Sequence, residues 1–168
     1  MRKLWLLVLS LALIAFGGVA QAADYLSPLS GDEEVPARDT KARGNAIYTV
    51  SDDGLSIHYK LIVANIDNVI QAHIHIAPKG VNGGIVVFLH ELVPPGGGPS
   101  NGLIREGTIT AANLIGSLAG QPLSALIAQI QAGNAYTNVH TNDGIAPTNN
   151  GPGDFPGGEI RGQIRAGE

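Results

Sequence analysis

Hydrophobic and polar residues alternate along several short stretches of the chain, and turn residues separate these stretches. Side chains of a strand point alternately to its two faces, so a period of two predicts a strand with one buried and one solvated face. The stretch 54–66 has this pattern, and with the preceding stretch 42–50 and the Asp-Gly turn at 51–54 it predicts a hairpin. The apolar positions of 54–66 are Leu55, Ile57, Tyr59, Leu61 and Val63, and the polar ones include Ser56, His58 and Lys60.

The stretch 69–76 alternates in the same way. Its apolar positions, predicted to face the core, are Ile70, Ala72, Ile74 and Ile76. Its polar positions, predicted to face water, are Gln71, His73 and His75. A third strand is therefore expected here, with two histidines on its solvated face.

The rest of the chain predicts further short strands, one small helical insertion and two Gly/Pro-rich loops. Leu123, Leu126, Ile127 and Ile130 have helical spacing, with Pro122 near the start and Gly133 past the end, and Thr110 can cap a turn that runs to Leu114. Extended segments are expected at 23–30, 85–90, 136–141 and 158–165, and loops at 93–102 and 142–158. Many short strands with turn-rich links favour a mainly β fold, an antiparallel β-sandwich or flattened barrel.

The first 22 residues have the layout of a secretory signal peptide. Arg2 and Lys3 precede an apolar run over residues 4–19, and Ala20-Gln21-Ala22 offers a cleavage site. The run is shorter than the about 20 residues that span a bilayer, which argues against a retained anchor. We therefore expect a signal peptide at 1–22, one domain at 23–168, and a periplasmic or secreted location without a membrane attachment.

Charge and cysteine content narrow the possible partners. Loss of residues 1–22 would leave 8 basic and 14 acidic residues, a net charge of −6. Such a balance disfavours nucleic acid and anionic membrane surfaces. The chain has no cysteine, so disulfides, thiolate metal ligands and cysteine nucleophiles are excluded.

Histidines form the most specific chemical pattern. His73 and His75 lie two residues apart on a predicted strand, so their side chains share a face and can converge on one metal ion. Imidazole suits both copper and zinc. His140, on the predicted strand 136–141, is a candidate third ligand, and His90, at the end of 85–90, a candidate fourth. The alternative is a solvated, hydrogen-bonded histidine pair without metal.

Two other polar segments have less specific patterns. Glu159, Arg161 and Gln163 share one face of the last strand, where Arg161 could bind a carboxylate or Glu159 could orient a histidine, although a surface ion pair is the simpler interpretation. Residues 32–34 (Asp-Glu-Glu) lack a calcium-loop pattern and are expected to be a solvated loop. No nucleophile or phosphate-binding motif is found, so no catalytic residue is assigned.

Five ordered motifs resemble the CHRD (chordin-type) domain family. They are residues 29–36 (LSGDEEVP), 72–75 (AHIH), Gly133, 136–141 (YTNVHT) and 158–164 (GEIRGQI), and the match extends over about residues 26–165. The resemblance implies an exported β-sandwich of the immunoglobulin-like or superoxide-dismutase-like kind. It implies little about activity.

A weaker likeness connects the His-x-His strand and the late Val-His to the copper-binding strands of copper/zinc superoxide dismutases. Carried over by motif, the likeness makes His73, His75 and His140 copper ligands. The chain lacks the disulfide of those enzymes, and its other histidines, His58 and His90, are not in convincing positions for a zinc subsite. A mononuclear copper site is therefore compatible with the sequence, whereas a dinuclear copper/zinc centre is doubtful.

Three functions follow as alternatives. The first is an exported binding module for a metal ion, with copper as the candidate, or for an extracellular protein or polymer. The second is a copper-dependent enzyme that handles superoxide. The third is a structural envelope or matrix protein without metal. The sequence does not determine whether the protein is an enzyme, whether the metal is copper or zinc, or what the oligomeric state is.

Overall fold

The computed structural model describes residues 24–167 and shows one antiparallel sheet that curls almost into a closed barrel. The strands run over Asp24–Ser30 (β1), Arg43–Val50 (β2), Ile57–Asp67 (β3), Val69–Ile76 (β4), Gly84–His90 (β5), Pro99–Ile109 (β6), Ala135–Thr141 (β7), Ile160–Gln163 (β8) and Arg165–Ala166 (β9). Their order across the sheet is β5-β4-β7-β8-β1-β2-β3-β6, and β9 pairs with β1. The predicted mainly β class is confirmed.

The two edge strands, β5 and β6, approach each other where the sheet nearly closes. The Tyr59 hydroxyl on β3 donates a 2.6 Å hydrogen bond to the Leu89 carbonyl on β5. Gly107 on β6 makes room for this contact, because a Cβ there would lie 2.9 Å from the Tyr59 ring. One tyrosine thus ties the two ends of the sheet together.

The core lies inside the curled sheet, and a short helix, Leu123–Gln131 (α1), contributes buried side chains to it. Leu126 and Ile130 of α1 are buried, and Gly133 just beyond it has a φ of 72°, the left-handed conformation typical of a glycine after a helix. The predicted helix is confirmed, and Thr110 precedes a 3-10 turn over Ala111–Asn113. Among residues 24–167, no helix is long and apolar enough to cross a membrane.

Three expectations about individual strands were wrong. Leu55, assigned to a buried face, is 69% exposed, because β3 begins only at Ile57. Residues 99–102, assigned to a loop, begin β6, an edge strand whose mostly exposed residues show no clear alternation. The polar face of β4 is not solvated, since His73 and His75 are both buried.

The predicted signal peptide at 1–22 lies outside the described residues. Export therefore stays a prediction.

Candidate metal centre

Strand pairing places the polar residues of β4, β7 and β8 on one continuous face of the sheet. His73 pairs with Asn138, Gln71 with His140 and His75 with Tyr136 across β4 and β7. Asn138 in turn pairs with Arg161 on β8. Directly opposed residues of antiparallel strands share a face, so side chains from three strands meet on the side opposite Ile74 and Val139.

Two loops cover this polar face and explain why it is buried. In the 142–158 loop, the Pro156 carbonyl accepts a hydrogen bond from His140 Nδ1, at 2.8 Å. In the turn after β4, the Gly83 carbonyl accepts a hydrogen bond from His75 Nδ1, at 2.9 Å. The Val81 carbonyl of the same turn accepts one from Arg161 Nη2, at 2.8 Å. Since the loops come from distant parts of the sequence, the alternation of β4 alone could not reveal the burial.

His73, His75 and His140 are brought together as the spacing and the motif predicted. Each offers a ring nitrogen, and these nitrogens all lie within 4.8 Å of one another. His73 Nδ1 and His140 Nε2 are 3.0 Å apart, the separation of neighbouring ligands each about 2.1 Å from one ion. Two ligands of one ion are at most about 4.2 Å apart at that bond length, so nitrogens 4.8 Å apart must approach by at least about 0.6 Å before one ion can bind all three.

Backbone carbonyls fix the tautomers of two rings. A carbonyl only accepts, so His75 Nδ1 donates to Gly83 and His140 Nδ1 donates to Pro156. In the neutral ring, Nε2 then carries a lone pair. An Nδ1–H bonded to a carbonyl, with Nε2 free to coordinate, is a common second-shell arrangement of metal-binding histidines.

Two buried nitrogens of the cluster have no hydrogen-bond partner among residues 24–167. They are Nε2 of His73 and Nε2 of His75, in side chains that are 1% and 8% exposed. A buried polar atom without a partner costs about 1–3 kcal/mol. A metal ion bound by His75 Nε2 would offset that cost at His75, whereas His73 faces His140 through its other nitrogen, Nδ1.

Burial also keeps the cluster neutral at physiological pH. Desolvation, with a further contribution from the neighbouring rings, lowers the pKa of His73 to about 3. Burial lowers the pKa of His140 to about 4, although the bond to Pro156 opposes that shift, and burial lowers the pKa of His75 as well. Metal ions bind neutral imidazole, so the ligands are in the binding form without loss of a proton.

Aromatic groups enclose the three rings. Phe88 on β5 packs edge-on to His73 at 4.8 Å between centroids, and Tyr136 stacks on His75 at the same distance. The Arg161 guanidinium lies over the Tyr136 ring, 3.4 Å from the ring centroid. Tyr136 and Phe88 restrict the rotation of two of the imidazoles.

His90, the predicted fourth ligand, is not part of the cluster. A register irregularity between Ala72 and His73 pairs His90 with Ala72, on the core-facing side of β4, and pairs Phe88 with His73. His90 is only partly buried, and burial lowers its pKa. The alternation of β4 does not indicate this bulge.

The simpler interpretations of the two other polar segments were wrong. Glu159 and Arg161 are fully buried and do not form a surface ion pair. Glu159 orients no histidine, since it accepts hydrogen bonds from the Thr40 and Thr141 hydroxyls and from the Gly153 amide. It holds the 142–158 loop against the polar face.

The acidic segment 32–34 is only partly solvated. Asp32 is exposed and Glu33 pairs with Lys79 at 2.8 Å, whereas Glu34 is 6% exposed. Burial raises the pKa of Glu34 to about 7, against the opposing effects of Arg161, the Val35 amide and Arg38. Sequence reasoning missed this buried carboxylate because its neighbours along the chain face solvent.

Comparison with known proteins agrees with the motif pattern. The model of the CHRD domain family matches residues 25–164, nearly the full described range. No curated protein matches the chain significantly.

Proposed function

The chain belongs to the CHRD domain family, and on that premise we propose that it is an exported module that binds a copper ion through His73, His75 and His140. The convergence of these three side chains, with ligand nitrogens within 4.8 Å of one another, is the observation that carries the proposal. Two of them come from β4 and one from β7.

The donor set supports copper over harder metals. Three neutral imidazoles without thiolates suit copper or zinc, and affinities of divalent ions at such sites increase towards copper. The orphaned Nε2 atom of His75, the 3.0 Å approach of His73 Nδ1 to His140 Nε2 and the bond from His140 Nδ1 to Pro156 support coordination at the centre of the cluster.

Export is supported by the sequence of residues 1–22, which has the layout of a secretory signal peptide.

Copper titration followed by electron paramagnetic resonance tests the proposal. We expect one copper(II) per chain, with hyperfine lines from coordinated nitrogen that disappear in a His73→Ala/His75→Ala variant. His58→Ala is the matched control, because His58 is an exposed strand histidine outside the cluster. Absence of tight binding, or binding that survives the double substitution, would refute the proposal.

A structural role without metal is the second candidate, and one observation favours it. The 3.0 Å contact between His73 Nδ1 and His140 Nε2 is also a hydrogen bond that links β4 to β7 directly. In that case His73→Ala lowers the melting temperature of chelator-treated protein, and added copper does not change the melting temperature of the unsubstituted protein. Superoxide consumption by the copper-loaded protein would instead favour the enzyme.

A further inference from the structure

Asn138 points into the histidine cluster. It is 4% exposed and lies two residues before His140 on β7, so both side chains project from the same face. Its Oδ1 atom lies 3.0 Å from His140 Nε2. Asn138 also pairs directly with His73 across β4 and β7, which places its amide beside two of the three rings.

The contact between Asn138 and His140 joins two acceptors. His140 Nδ1 donates its proton to the Pro156 carbonyl, so Nε2 of the neutral ring presents a lone pair. The amide oxygen presents lone pairs as well. His140 Nε2 accepts the proton of His73 Nδ1 at 3.0 Å in the metal-free protein, so it has none to donate to Asn138. A cation that replaces this proton would be attracted to the lone pairs of His73 Nδ1, His140 Nε2 and Asn138 Oδ1 together.

Glu34 explains why the amide does not turn its nitrogen towards the ring. The Asn138 side chain is close enough to Glu34 to favour its charged form, and a carboxylate attracts the NH₂ end of an amide. Gly158 permits this approach, since a Cβ at Gly158 would collide with Glu34 Oε1 and lie 3.1 Å from Asn138 Nδ2. Glu34 Oε1, which has no hydrogen-bond partner among the described residues, thus lies on the Nδ2 side of the amide and favours the orientation in which Oδ1 faces the histidines.

We propose that Asn138 is the fourth ligand of the centre, with its Oδ1 held in place by Glu34. The inference rests on the proposed function and specifies the coordination of the same ion. The 3.0 Å spacing from Oδ1 to His140 Nε2 fits two neighbouring ligands about 2.1 Å from one ion. A centre with four protein ligands has no open position, which is typical of sites that hold a metal rather than catalyse at it.

Substitution of Asn138 tests the ligand directly, with copper(II) as the probe. Asn138→Ala should keep three nitrogen ligands in the paramagnetic resonance spectrum, change the copper hyperfine splitting, and bind copper at least about 10-fold more weakly. Asn138→Asp keeps an oxygen in the same place and adds a negative charge, so it should bind copper more tightly than the unsubstituted chain. Asn134→Ala, one residue before β7, is the control.

The outcomes separate this inference from the proposed function. If the unsubstituted protein binds no copper, the proposed function fails. If it binds copper and both Asn138 variants match it in affinity and spectrum, only the fourth ligand is refuted. Should Asn138→Ala not fold, the near-isosteric Asn138→Asp decides alone.

Glu34 is inferred to be a positioning residue, and Glu34→Gln tests it. Loss of the charge should weaken copper binding several-fold and change the hyperfine splitting in the same direction as Asn138→Ala. Glu33→Gln, its half-exposed neighbour, is the control. An unchanged spectrum in Glu34→Gln would contradict the positioning role, whatever happens to the melting temperature.

Discussion

β3 and β4 follow each other along the chain with almost the same alternation, yet they meet different surroundings. On β3 the alternate polar positions, including His58, are exposed to water. On β4 the corresponding positions, His73 and His75, are buried under two loops. The difference shows that alternation identifies a strand and its two faces but does not show whether the polar face is exposed to solvent.

The cost of burial makes this difference informative about function. A solvated histidine such as His58 requires no explanation, whereas two buried histidines with orphaned Nε2 atoms are unfavourable in the metal-free protein. Such groups accumulate at functional sites. The buried polar face of β4, β7 and β8 is therefore where we place the function.

The largest effect is expected in the core that both strands share. Leu61→Ala on β3 removes a fully buried side chain and should lower the free energy of unfolding by about 2–5 kcal/mol. Ile62→Ala, on the exposed face of the same strand, should cost much less, because Ile62 is 36% exposed. Denaturant titration measures both, and equal losses would contradict the assignment of the two β3 faces.

Acid should destabilise the metal-free protein through the buried face of β4. The pKa of His140 is about 4 in the folded chain and 6.5 unfolded, so the unfolded state binds more protons and stability falls as pH decreases through this range. That difference corresponds to about 3 kcal/mol for His140 alone. His73 and His75 contribute in the same direction.

Glu34 opposes this trend. Its folded pKa of about 7 lies above its unfolded value of 4.5, so its contribution is present at low pH and is lost as pH rises from 4.5 to 7. Glu34→Gln should therefore steepen the loss of stability in acid. Denaturation of chelator-treated protein at several pH values checks the acid destabilisation and the effect of Glu34→Gln. His58→Ala is the control for the dependence of the free energy of unfolding on pH. Stability that is constant or increases towards pH 4.5 would contradict the neutral burial of the cluster.

A smaller effect is expected where the 142–158 loop is attached. Glu159→Gln keeps the size of a fully buried side chain but weakens its hydrogen bonds with Thr40, Thr141 and the Gly153 amide. We expect a loss of about 1–3 kcal/mol. Glu106→Gln on the exposed edge strand should change stability by less than about 0.5 kcal/mol. Equal melting temperatures for the two variants would show that Glu159 does not anchor the loop.

Local pattern was sufficient to predict most of the fold. Alternation located β3 and β4, and the Pro122 and Gly133 boundaries located α1. β6 was missed because its pairing with β3 is irregular and its residues mostly face solvent, which removes the hydrophobic period.

The candidate site was predictable only in part. The i, i+2 spacing of His73 and His75 and the motif around His140 identified three residues that the structure brings together. His90 was included wrongly as a fourth ligand candidate because a bulge in β4 cannot be read from spacing. Glu34 was left out because its burial depends on contacts with residues more than 100 positions away, at Gly158 and Asn138.

X-ray absorption at the copper edge tests the central claim most directly. Multiple scattering from imidazole rings counts the coordinated histidines of the protein loaded with one equivalent of copper. We predict three imidazoles at about 2.0 Å in the unsubstituted chain and in His58→Ala, and at most one in His73→Ala/His75→Ala. One or no imidazole in the unsubstituted chain would contradict the claim that His73, His75 and His140 form a metal centre.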